Sequence, residues 1–157
     1  MIGLQGVEIT STNVNNGIFQ VFATSIHNFA VCPRCKRITQ DVHDSRCQAI
    51  RHLPIWGMDT VIMLNKKRFV CDCDPEHPFD EQFEFLRKYQ RQTVPYEKYI
   101  FMLTHKNTIK NAAEFAGIGE GKCQGIYNHY AESILERREP EPLRLLGIDD
   151  VARKKGH

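Results

Sequence analysis

No run in these 157 residues approaches the ~20 consecutive apolar residues that a bilayer-spanning helix needs. Met1 to Glu8 has neither the basic start nor the apolar stretch of a secretory leader. A soluble, cytoplasmic protein with no membrane partner is the expectation. Six cysteines are too few, and too unevenly placed, for a secreted disulfide scaffold, which leaves reduced thiols available for metal. There is no internal repeat and no low-complexity tract. A net charge of +2 names no partner by itself.

The distribution of charge says more. Cys32 to Val70 carries eight Lys or Arg against three Asp, whereas Cys71 to Thr93 carries six acids against three bases. The basic excess includes Arg34, Lys36, Arg37 and the run Lys66, Lys67, Arg68. Such clustering suits phosphate contacts, although a solvated strand face would look the same.

Hydropathy patterning divides the chain into a β-rich first half and an α-rich second half. Val7 to Thr10 and Ile18 to Thr24 are predicted strands, joined by the turn-forming Asn13, Asn15, Asn16 and Gly17. Val61 to Val70 is a third strand that runs directly into Cys71, and Arg51 to Gly57 is expected to be a turn or loop before it. After Pro78 the spacing of Phe79, Phe83 and Leu86 predicts a helix. Thr93 is a candidate N-cap for a helix with Tyr96, Tyr99, Ile100 and Leu103 on its apolar stripe. Thr108 should open a second helix ending at Gly117. A third is expected from about Lys122 to Arg138, with Ile126, Tyr130, Ile134 and Leu135 inward. Glu139-Pro140-Glu141-Pro142 reads as a linker.

Cys32-Pro33-Arg34-Cys35 has the two-residue spacing that lets two thiolates face one ion. A closed zinc site needs four ligands, and the next candidates, Cys71, Cys73 and His77, begin 36 residues later. Two ligand-bearing turns separated by strands are the plan of a zinc ribbon, so Cys32, Cys35 and Cys71 are expected ligands with either Cys73 or His77 as the fourth. A redox CxxC or an iron–sulfur set fits less well, because neither a βαβ context nor the remaining ligands are visible. Cys47 and Cys123 are spare, and a small buried thiol is the ordinary role for such residues.

Ile109 to Asn128 fits a helix-turn-helix. Ala113 stands where the two helices must touch, Gly117 where the turn requires positive φ, and Ala112, Ala116, Ile118, Cys123 and Ile126 at the inner positions. The second helix would then offer Glu120, Lys122, Gln124, Asn128 and His129 to the major groove of double-stranded DNA. Lys66, Lys67 and Arg68 are a second candidate contact. An αα-hairpin used for packing or dimerisation is the competing reading, and a homodimer is compatible with either.

In this order, the pieces resemble the ISL-three group of bacterial insertion-sequence transposases. The resemblance is carried by Leu4 to Glu8, Cys32-Pro33-Arg34-Cys35, Val42-His43-Asp44-Ser45-Arg46, Arg51-His52-Leu53-Pro54-Ile55-Trp56-Gly57, Lys67-Arg68-Phe69-Val70-Cys71, Ala112 to Ile118 and Leu146 to His157. It implies recognition of mobile-element ends by a nucleoid-associated protein. It also implies an RNase H-like catalytic domain in which three carboxylates hold two divalent metals such as Mg. Asp149 resembles the first of these carboxylates, and the other two have no counterpart before His157.

The expected fold is therefore α+β, with a zinc-ribbon β domain over 1–78 and a helical helix-turn-helix domain over 79–139. Residues 140–157 would form a linker and the start of a truncated catalytic domain. The expected function is DNA binding without strand transfer by this chain alone and with no small-molecule substrate. A stand-alone regulator or an accessory interaction module is the alternative.

Overall fold

The computed structural model describes residues 4–137, and within them every strand precedes every helix. The strands are β1 (Val7–Asn15), β2 (Ile18–Ser25), β3 (Ala30–Val31), β4 (Ile38–Thr39), β5 (Val42–Ile55), β6 (Met58–Cys71) and β7 (Asp74–Asp80). The helices are α1 (Val94–Lys106), α2 (Ile109–Ala116) and α3 (Glu120–Leu135). No helix among the described residues is long and apolar enough to cross a membrane.

β1 and β2 form the expected hairpin, closed at Asn16 and Gly17, whose φ values of 50° and 76° suit a tight two-residue turn. β6 is the central strand of the sheet β1-β2-β6-β5. Antiparallel β5 follows one edge of β6 from Met58 to Phe69. The other edge takes β2 in parallel from Asp59 to Asn65, then β7 antiparallel from Arg68 to Cys71.

Alternation along these strands turns Phe19, Val21, Ala23, Ile50, Ile62 and Leu64 into one core. Each fully buried apolar side chain contributes about 1.5–3 kcal/mol. Phe83, Phe85 and Leu86 complete the same core, so the β unit draws on chain beyond residue 78.

Two expectations for the β half are corrected. Arg51 to Ile55 belongs to β5, and only Trp56 and Gly57, at φ 53° and 76°, make the turn into β6. Pro54 is accommodated where the β5–β6 register shifts between His52 and Ile55. The helix expected around Phe79, Phe83 and Leu86 does not form. Phe79 and Asp80 pair with Phe69 and Arg68 in β7, and the Glu81 carboxylate accepts from the Lys67 N–H at 2.7 Å. Helical spacing at these positions coincides with residues that cover a sheet from an irregular segment.

The three helices share a second core of Tyr96, Ile100, Ala112, Ala113, Cys123 and Ile126. Thr93 caps α1 by accepting from the Tyr96 N–H, and Thr108 caps α2 by accepting from the Asn111 N–H. α3 starts two residues earlier than expected and ends at Leu135. Ile134 and Leu135, expected inward, are 52% and 65% exposed, because the last turn of α3 runs past this core.

A buried carboxylate links the helices to the preceding segment. Glu97 is fully buried on α1; it accepts two bonds from Arg87 (2.6 and 2.9 Å), one from Gln92 Nε2 (2.8 Å) and one from the Tyr130 hydroxyl (3.3 Å). The Glu97 carboxylate beside Arg87 holds the guanidinium above its usual pKa, and burial pushes the Tyr130 phenol up to about 12.

The β and α units are joined along the outer edge of β5. Arg51 N–H donates to Arg91 O and Thr93 N–H donates to Arg51 O, both at 2.9 Å, in a parallel bridge opposite Gln92. A free strand edge is thereby covered at this point. Beside it the buried His52 meets the Thr93 hydroxyl through Nδ1 at 2.8 Å.

Candidate metal centre and nucleic-acid interface

Two hairpin turns bring four cysteines together. The first lies between β3 and β4, where Lys36 N–H donates to Cys32 O at 3.0 Å and Cys32 N–H to Arg37 O at 2.8 Å. Lys36 adopts φ 62°, which reverses the chain directly after Cys35. The second lies between β6 and β7, where Cys71 pairs with Asp74. Arg34 joins the two turns by an ion pair to Asp74 at 2.7 Å. The Thr39 hydroxyl donates to Val70 O at 2.8 Å and fixes β4 against β6.

The Sγ atoms of Cys32, Cys35, Cys71 and Cys73 all lie within 4.8 Å of one another. Cys32–Cys73 and Cys35–Cys71 are both 3.6 Å apart. A tetrahedron with Zn–S bonds of ~2.3 Å has S···S edges of about 3.8 Å, so this arrangement fits one zinc ion with modest adjustment.

The close approach of the four sulfurs sets their acidities apart. The Arg37 backbone N–H and guanidinium pull the Cys35 thiol down to about 6, and the Cys35 N–H lowers Cys32. Sharing protons with Cys35 and Cys32 pushes Cys73 up to about 12. Four crowded sulfurs do not all ionise without a compensating charge.

His77 stands outside this group. It lies exposed on β7, with Nδ1 2.8 Å from Asp74 Oδ1. Cys47 is exposed on β5 and Cys123 is buried in the helical core; only the latter is the small buried thiol expected of both.

The helices have the arrangement expected from the sequence. Ala113 is 1% exposed at the contact of α2 with α3, and Gly117 caps α2 in the left-handed region at φ 60°, ψ 40°. Gly117 N–H donates to Glu114 O and Ile118 N–H to Ala113 O, which closes the turn. α3 buries Cys123 and Ile126 and leaves Gly121, Lys122, Gln124, Gly125, Asn128 and His129 exposed. Gln124 Nε2 donates to Asn128 Oδ1 at 2.6 Å, so these amides are aligned one turn apart. Burial and the Arg51 guanidinium lower the Lys122 pKa.

The second basic candidate is already engaged. Lys66 lies 3.6 Å from Asp80, Lys67 Nζ donates to His27 O and Asn28 Oδ1, and Arg68 makes a two-point contact with Asp44 at 2.7 and 2.8 Å. That pairing holds the Asp44 carboxyl down to about 2.

Sequence reasoning missed Arg51. Its NH1 donates to Gly117 O at 2.9 Å, its NH2 to Asp59 at 3.2 Å, and its guanidinium lies 5.6 Å from the centre of the Tyr96 ring. Reading 51–57 as a loop concealed that Arg51 stands on an edge strand facing the helices. Asp149 and the 139–142 linker lie outside the described residues.

Two family descriptions match the chain. One is the zinc-finger of transposase IS204/IS1001/IS1096/IS1165, over residues 29–73. The other is the helix-turn-helix domain of transposase family ISL3, over residues 81–131. The chain is also similar to the transposase for insertion sequence element IS1001 of Bordetella parapertussis, with 23% identity over 128 residues. That match takes in 81% of this chain and 31% of the relative, so the chain spans less than a third of that protein. No solved structure matches. The two matched segments follow one another in the order the fold displays, and together they make the chain similar to the N-terminal zinc-ribbon and helix-turn-helix region of ISL3-family transposases.

Proposed function

We propose that this region binds the ends of a mobile element, with α3 reading the major groove of double-stranded DNA and a zinc-locked β unit holding it in place. The observation that carries this reading is the α2–Gly117–α3 turn, which leaves the start of α3 polar, small and open. Lys122 suits guanine or phosphate, and Gln124 and Asn128 suit adenine edges. His129 borders the same face. Lys66, Lys67 and Arg68 are weaker contacts, because each would first have to leave an internal partner.

Cys32, Cys35, Cys71 and Cys73 would hold one structural zinc, closing the two knuckles into a unit whose ribbon end has little apolar core of its own. Strand transfer would call on carboxylates outside the described residues, with Asp149 the first, and on a divalent metal such as Mg. A chromosomal DNA partner would put the protein in the cytoplasm, at the nucleoid.

Selection from a pool of randomised duplexes tests this. The wild-type protein should enrich a defined sequence. Lys122→Ala with Gln124→Ala should lose that preference while keeping the wild-type circular dichroism. Enrichment unchanged by the double substitution would place the reading surface elsewhere.

A further inference from the structure

The segment that connects the sheet to α1 shows an unusual feature. Tyr89 is 85% exposed and adopts φ 63°, a region a bulky side chain rarely occupies. Its surroundings are fixed. Gln90 N–H donates to Arg87 O, Gln48 Nε2 donates to Gln90 O, Arg87 is tied to Glu97, and Arg91 O accepts from Arg51 N–H. The backbone is strained where this ring stands in solvent, as it is at the Trp56 turn, and strain of this kind is found at ligand sites.

Cations flank that ring. Lys88 Nζ lies 4.9 Å from its centre, and Arg91 is exposed two residues on. Among the described residues neither Lys88 nor Arg91 is ion-paired, in contrast with Lys66 and Arg68. Lys88, Tyr89 and Arg91 line a groove of about 760 Å³ together with Arg46 and Gln48 of β5 and the acidic Asp80 and Glu81. Arg91 also acts on α3, where burial first and then the Arg51 and Arg91 guanidinium groups lower the Lys122 pKa.

We propose that the turn Arg87–Arg91 is a second DNA contact, in which Lys88 and Arg91 take the phosphate backbone beside the major groove that α3 enters and Tyr89 packs against the sugar–base edge. This rests on the reading of α3 given above. Phosphate contacts of this kind fix the register of a protein on the duplex, whereas base contacts choose the sequence. The turn therefore supplies sequence-independent affinity and orients α3.

The test is fluorescence titration of the full chain with a mixed-sequence 30-base-pair duplex across a KCl series. Lys88→Ala with Arg91→Ala should weaken binding about tenfold or more, and the slope of log K against log salt should fall by about 0.9 for each phosphate that is no longer neutralised. Selection from randomised duplexes should return the wild-type sequence preference. Tyr89→Gly should melt at a higher temperature yet bind more weakly, and Tyr89→Phe should bind as wild type. Binding by the wild type that neither substitution set alters in affinity or slope overturns this contact and leaves the α3 reading standing. A wild type that binds no duplex overturns both, and stronger binding to single-stranded RNA than to duplex DNA overturns the partner proposed here.

Discussion

Arg51 on β5 donates to the carbonyl oxygen of Gly117, the residue that closes the helix-turn-helix turn, at 2.9 Å. A Cβ placed on Gly117 would lie 3.4 Å from that same guanidinium. One side chain thus holds the turn from outside, while the Arg51 backbone N–H and C=O hold the segment that leads into α1. Arg51→Ala should destabilise the protein by about 1.5–3 kcal/mol, the usual worth of a charge-assisted hydrogen bond in a partly buried setting. Arg51→Lys should recover part of this, lacking the fork that reaches Gly117 and Asp59 together. Urea unfolding measures both, and equal stability of the alanine variant and wild type would remove the clamp.

Glu97 makes a sharper case. Glu97→Ala leaves Arg87 and Gln92 without their acceptor in a buried site, and a loss of about 3–5 kcal/mol is expected. Tyr130→Phe removes one longer bond and should cost about 1 kcal/mol or less. Chemical denaturation should rank the two in that order.

Metal content separates the two residues left open by sequence reasoning. Cys73→Ser should release zinc, because its sulfur lies 3.6 Å from that of Cys32. His77→Ala should retain zinc and give up only its hydrogen bond to Asp74. Elemental analysis of the purified variants decides this, with about one zinc per wild-type chain expected. A chelator should unfold the ribbon end before the helical core.

The pH dependence of stability carries a signature from His52. Burial lowers its pKa below the usual 6.5 in the folded protein. The unfolded chain therefore takes up a proton first as pH falls. The His52 contribution is complete above about 6.5 and is lost as pH drops through the depressed folded value. His52→Gln should flatten the stability–pH curve in this window, and a difference curve against wild type isolates the effect from the cysteines.

Gly121 and Gly125 occupy the open face of α3, and a Cβ at either would meet nothing within 4 Å. Replacing either with alanine should stabilise the helix by up to about 1 kcal/mol, read as a rise in melting temperature. If the glycines serve close approach to a groove, the same variants will bind duplex DNA less well despite their greater stability.

What the sequence disclosed follows the reach of its signals. Gly117, Ala113 and the inner positions of the helix-turn-helix were legible because they obey local spacing, as did the hairpin at Asn16 and Gly17. The pairing of Cys32 with Cys73 was half legible: spacing announced the two knuckles, but choosing Cys73 over His77 required the register of β6 with β7. Phe79, Phe83 and Leu86 misled because a three- and four-residue spacing of large apolar groups also suits an irregular segment laid over a sheet. Arg51 and Glu97 left no local trace, since they meet Gly117 and Tyr130, 66 and 33 residues away. The strain at Tyr89 lies in the backbone itself, where residue type gives no warning.

The β5–β6 hairpin has one further consequence. Its helix-facing contact is at Arg51, opposite Val61, and its cysteine knuckle is at Cys71. Ten residues of strand separate these points, about 33 Å at ~3.3 Å per residue. One continuous strand, β6, thus ties the cysteine cluster to the β5 edge that braces the helices, so the two loads are carried at opposite ends of a single hairpin.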